Sequence, residues 1–255
     1  MNKTLIITMG IFKDSIRQPV SYFLVIFFSL LLLITRIITT FGFGLEINMI
    51  REMGISSIVL CGLLISILAS PGIISEDIRN RAILVVFAKP ISKREFILGK
   101  YIGIMLTILC AFFFLTLVFG LTLLWKGDIL HYGNIMKSII LSYELVAIIT
   151  AISLTLSIFL PIALNAVVCF FIYAAGHLSP YICGRLTEKG GVSQFIGNVI
   201  YSILPNLEDF NVSSALAADI PITGVYIAIT SFYGLMYIGV VLFIATIILE
   251  RKEIY

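Results

Sequence analysis

The sequence predicts an all-α membrane protein: an N-terminal interfacial elbow helix, then six transmembrane helices, with both termini on the cytoplasmic side. Three observations carry this reading. Hydrophobic residues fill 60% of the 255 positions and charged residues 12%, against about 45–50% and about 25% in ordinary globular domains. The apolar residues come in runs close to the ~20 residues that cross a bilayer as a helix. The charges gather between those runs. The segment from Ser75 to Lys100 holds nine of the chain's 17 basic and 14 acidic residues, while 53–75 and 101–125 hold none.

From Lys3 to Gln18, Leu5, Met9, Phe12 and Ile16 recur at helical spacing with Lys13, Asp14 and Arg17 at polar positions. This predicts an amphipathic helix on the membrane surface over 1–18. Pro19 marks a turn, and the first span follows at 20–38, with Arg36 near its far end, where a long stem can snorkel to the interface. A connection with two glycines and both charge signs leads to the second span at 53–74, loosened by Pro71-Gly72. The charged loop occupies 75–92. At its end, Ser92-Lys93-Arg94-Glu95 has the S-x-x-E spacing of a capping box, in which both side chains satisfy free N–H groups of a helix start. The third span therefore runs over 93–125.

Lys126-Gly127-Asp128 opens a polar loop. The apolar stretch 138–182 is too long for one crossing and fits two, at 138–159 and 165–181, with Leu160-Pro161 in the hairpin. Residues 182–223 carry an apolar stripe from Val192 to Ile203, then Leu204-Pro205-Asn206 and the acidic Glu208, Asp209 and Asp219. That pattern predicts a re-entrant or interfacial segment on the outer face. The last span covers 224–249, and the chain reads as one transmembrane domain over 1–255.

Eleven of the 17 basic residues fall on the side of the 75–92 loop and the termini, which the positive-inside rule assigns to the cytoplasm. The formal charge of +3 reflects this bias; no groove-reading motif accompanies it, so nucleic acid is not an expected partner. Cys61, Cys110, Cys169 and Cys183 stand singly, without the spacing of a metal site or disulfide framework. His131 and His177 are isolated, and Met49 and Met53 have no Cys or His beside them. Neither H-E-x-x-H nor G-x-S-x-G occurs. The residues predict no catalytic site and no metal.

Within the charged segment, Ala82 to Ala88 is an apolar run on a water-facing loop. It either lies on the lipid interface or is covered by a partner protein. The pattern of an acidic start, basic residues, this apolar run and then K-P-I-S-K-R-E-F-I-L-G-K-Y-I-G, Lys89 to Gly103, resembles the loop of ABC-2 type transporter permeases, closest to the subfamily of the nitrous oxide reductase maturation permease. Leu204-Pro205-Asn206-Leu207 with Phe210 is similar to the segment those permeases carry before their sixth span. Two departures stand out: Arg81-Ala82 replaces a frequent Gly-Thr, and Lys93 takes the place of a usual Arg, whose planar fork Lys lacks.

The resemblance implies the elbow-plus-six-span fold of ABC-2 permeases, a homodimer with a second permease copy, and a coupling helix after span two that docks on a separate ABC ATPase subunit, two copies per complex. Under it the ATPase contact falls to Glu76, Asp77, Arg79 and Arg81, to Ile83, Leu84, Val85, Val86 and Phe87, and to Lys89, Lys93 and Arg94. ATP and Mg would sit on the partner, with no cofactor bound by this chain. That agrees with the missing G-x-x-x-x-G-K-[ST] motif, since Gly99-Lys100 is followed by Tyr101. The function so implied is that of a multi-pass permease subunit in the cytoplasmic membrane, turning ATP hydrolysis elsewhere into export or conformational work. An extracytoplasmic partner fits the outer segment. The alternative is a stand-alone secondary transporter or intramembrane enzyme.

Three residues are candidates for the translocation path or gate: Arg36, Glu144 and Asn165. Charges inside a membrane are costly and tend to mark pathways. Counted from Ser138, Glu144 lies roughly 9 Å below the outer end of its span. Arg36 and Glu144 either pair across the bundle or face interface and cavity separately. Gly99 and Gly103 form a G-x-x-x-G that permits close helix approach or arises by chance.

Overall fold

A computed structural model describes residues 3–39, 46–79, 92–126, 132–188, 204–217 and 220–251, together with 191, 194–195 and 198. Among the described residues the regular structure is helical throughout: α1 (Lys3–Arg17), α2 (Pro19–Thr39), α3 (Glu46–Arg79), α4 (Lys93–Lys126), α5 (Tyr132–Leu156), α6 (Ile162–Glu188), α7 (Ser213–Ala217) and α8 (Gly224–Arg251), with one 3-10 turn at Glu208–Phe210. Helices α3, α4, α5, α6 and α8 are each long and apolar enough to cross a membrane, and α1 with α2, bent by 61° at Gln18, meet the same length and composition only when taken together, which gives five to six crossings among the described residues. The chain is a multi-pass, all-α membrane protein. Lipid offers backbone groups no hydrogen bonds, so each crossing must satisfy its own as helix.

The helix bounds depart from the hydropathy runs in an instructive way. α3 and α4 each have 34 residues, about 51 Å of helix against a hydrocarbon core of about 30 Å, so both continue into water. α3 begins seven residues before Met53 and carries on through Pro71-Gly72 to Arg79. Glu46, Met49, Arg51 and Glu52 are good helix formers in a segment that hydropathy assigns to a loop, and a Pro is tolerated in a membrane helix when neighbours restore the freed carbonyl. α5 likewise begins at Tyr132, six residues before Ser138. Most of the predicted outer stripe, 192–203, lies outside the described residues.

α3 and α5 form the centre of the bundle, with two thirds of each apolar window buried, while α6 and α8 lie at its margin. α5 packs between α3 and α8, and α2 packs on α3 and α4. Thr150 of α5 meets Ser66 of α3 hydroxyl to hydroxyl at 2.9 Å in the buried core. The α5–α6 hairpin turns through Ser157 to Leu160, and the Pro161 carbonyl accepts from the Asn165 N–H at 3.0 Å to start α6.

α1 lies along the first half of α4. The G-x-x-x-G is the seat. A Cβ on Gly99 would stand 2.9 Å from Ile7 Cβ, and one on Gly103 2.7 Å from Ile11 Cβ; the Thr8 hydroxyl is shared between the Thr4 carbonyl and the Gly99 carbonyl, at 2.9 and 3.2 Å. Thr8 and Ser15 are buried on this face, while Leu5 and Met9 of the predicted stripe point away and stay exposed. The side of α1 turned to α4 thus combines Ile7 and Ile11 with the small polar Thr8, while Leu5 and Met9 lie on its exposed side.

Candidate functional site

The predicted partner-binding residues are split. Glu76, Asp77 and Arg79 belong to the last turns of α3; Arg81, Ile83, Leu84, Val85, Val86, Phe87 and Lys89 lie outside the described residues. Where the chain resumes, the capping box is formed: the Glu95 N–H donates to Ser92 Oγ at 3.2 Å and the Ser92 N–H donates to Glu95 Oε2 at 2.9 Å. The Lys93 ammonium donates to the Leu249 and Glu250 carbonyls at 3.0 and 3.2 Å. These are among the last carbonyls of α8, where the helix dipole favours a cation. Arg94 is exposed. The start of α4 is thereby fastened to α1 through its glycines and to the end of α8 through Lys93.

Glu144 sits at the middle of α5: with the helix starting at Tyr132 and ending at Leu156, it lies twelve residues from either end, about 18 Å each way along the helix. It lines a cavity of about 500 Å³ between α4, α5 and α8 whose wall is otherwise almost wholly apolar, including Tyr101, Phe112, Phe113, Tyr143 and Leu235. The two phenols are engaged: Tyr101 donates to the Ala147 carbonyl at 3.3 Å and Tyr143 to the Met105 carbonyl at 3.0 Å. Phe112 meets the Tyr143 ring edge to face at 5.5 Å. Ser231 of α8 lies within hydrogen-bonding reach of the Glu144 carboxylate, yet Glu144 Oε2 and the Thr116 hydroxyl on the same wall are buried without a partner among the described residues.

Asn165 does not line this cavity. Asn165 is fully buried and braces the hairpin, its amide donating to the Ser153 carbonyl at 3.0 Å while Cys169 Sγ lies 3.2 Å from Asn165 Oδ1. Arg36 is carried by α2 near Thr39, and its side chain lies outside the described residues.

A second polar feature closes one end of the bundle. The segment Leu204–Ala217 runs over α3, α5 and α6 as a strap. Leu207 inserts over Gly176, where a Cβ would meet its side chain at 2.7 Å, and the Leu207 N–H donates to the Gly176 carbonyl at 3.3 Å. Phe210, fully buried, packs over Gly234 of α8. His177 Nδ1 stands 2.7 Å from Glu208 Oε2. A carboxylate only accepts, so Nδ1 carries the proton, which leaves Nε2, buried without a partner among the described residues, beside a polar cleft of about 210 Å³. Burial first, and the negative charge of Glu208 second, hold the Asp209 carboxyl above its ordinary range; its Oδ2 accepts from the Asn206 amide at 2.6 Å. Arg51 donates to the Leu216 carbonyl at 3.3 Å and Lys137 to the Ile222 carbonyl at 2.7 Å, tying α3 and α5 to the strap and its continuation.

Among the described residues no group of three or more His, Cys, Asp or Glu is placed to hold a metal. The comparisons with protein-family models and with curated proteins return no match to this chain.

Proposed function

We propose that the chain is the membrane-spanning permease subunit of an ABC transporter, a homodimer in the cytoplasmic membrane whose 75–92 loop docks on a separate ATPase. One observation supports this most: the charged loop joins α3 to a start of α4 that is capped by Ser92 and Glu95, clamped to α8 by Lys93 and seated on α1 through Gly99 and Gly103. A push on that loop is delivered to three helices together. A helix start that merely re-entered the membrane would need the cap but neither of the other two attachments. Glu144, midway along α5, favours the second reading, a stand-alone carrier, but a lone carboxylate offers an ion-coupled cycle few groups with which to relay charge.

The test is co-purification. Detergent-solubilised, tagged chain is expected to retain an ATPase, and V85D/V86D to release it while eluting as a folded protein of unchanged size. Association retained by the double variant sinks the docking assignment.

A further inference from the structure

We infer that the cavity between α4, α5 and α8 is a binding site for a lipophilic organic cation that enters from the bilayer, with Glu144 as its counter-charge.

The argument begins with size and wall. About 500 Å³ falls within the roughly 300–1,000 Å³ of small-molecule sites, which combine an apolar lining with few polar groups. The lining is aromatic and aliphatic, it includes no Lys or Arg among the described residues, and both phenols donate to backbone carbonyls of the facing helix. Among the described residues Glu144 is the only carboxyl on that wall. An ionisable group within a membrane helix marks a substrate or ion pathway by default; Glu144 lines this cavity with Oε2 unpartnered among the described residues, and a cationic ligand supplies the partner. Phe112, Phe113 and Tyr143 add ring faces that attract an organic cation. An anion would be repelled, and a small hydrated metal ion would find too few oxygens.

The entrance follows from exposure. Phe113, Leu235 and Met136 on the cavity wall are each more than half exposed on the outer surface of the bundle, the surface that faces lipid. A solute that partitions into the membrane reaches the site sideways, which selects amphiphilic cations over water-soluble ones. The proposal takes the transport reading as its setting, with the cation as cargo. Binding nonetheless involves this chain alone.

The experiment uses the full chain in lipid nanodiscs without any ATPase, with radiolabelled tetraphenylphosphonium as probe and tetraphenylborate as its anionic counterpart of like shape. Saturable tetraphenylphosphonium binding is expected, with E144Q weakening it at least about tenfold and tetraphenylborate failing to compete. L235W, which keeps the carboxylate and fills the cavity from α8, is expected to abolish binding while the variant elutes and melts like the parent. Equal binding by E144Q, competition by tetraphenylborate, or no saturable binding by the parent overturns the proposal. So does cross-linking of a Leu235→Cys variant to a second copy in a form that excludes the probe, which would make this face a subunit interface. Loss of the ATPase in the co-purification test leaves these outcomes unchanged, so the two readings fail separately.

Discussion

His177 and Glu208 meet across 31 residues of chain, and neither looks special in the sequence: one is an isolated His, the other one of a scatter of acids before the last span. Glu208 is 46% exposed, so the pair is worth at most roughly 1 kcal/mol. H177A should lower the melting temperature by no more than about 2–4 °C, and E208Q should add little in the double variant, since each removes the same bond. Asp209 beside it responds to pH in the opposite sense from a salt-bridged acid. Its carboxyl is held above the ordinary range in the fold, so between the ordinary and the raised value the folded state binds more protons than the unfolded one, and stability falls as pH rises through that window. D209N should remove this decline. Thermal melts in detergent from mildly acidic to neutral pH read it as a flatter curve; an unchanged slope would show that Asp209 ionises freely.

At the scale of elements, close approach at glycine decides which helices touch. Gly103 and Gly99 leave room for the backbone of α1, whereas a Cβ on Gly239 of α8 would meet nothing within 4 Å. G103A should therefore destabilise by roughly 1–3 kcal/mol through overpacking against Ile11, and G239A should be neutral or stabilising by up to about 1 kcal/mol. Chemical denaturation monitored on both variants checks the contrast; equal effects would mean that α1 gives way at no cost. The motif at 99–103 was legible in the sequence, but its partner was not, because an x-x-x spacing describes one helix surface and says nothing of which surface covers it. The same limit hid one contact of Lys93. The family resemblance implied a place for it at a partner protein, and its ammonium lies on carbonyls 156 and 157 residues away. The capping box was fully legible, since all its atoms come from four consecutive residues.

For the whole molecule, the spans were legible because the bilayer imposes a length and a composition that few other structures share. Their ends were less so, because the turns before Met53 and Ser138 extend the helices without changing the apolar run that hydropathy detects. At Glu144 the two counts differ: from Ser138, where the apolar run begins, it lies roughly 9 Å in, and from Tyr132 it is the midpoint of the helix. Orientation rests on the basic residues alone, and the strap gives it a sharp test. Ser92 and Asn211 are both exposed, one at the capped start of α4 and the other on the strap at the opposite end of the bundle. If the 75–92 side is cytoplasmic, S92C in a background lacking the four native cysteines should react with a membrane-impermeant maleimide only after the cells are opened. N211C should react in intact cells. The reverse pattern would put the charged loop outside, where no ATP-driven subunit could reach it, and would remove the permease reading together with the orientation.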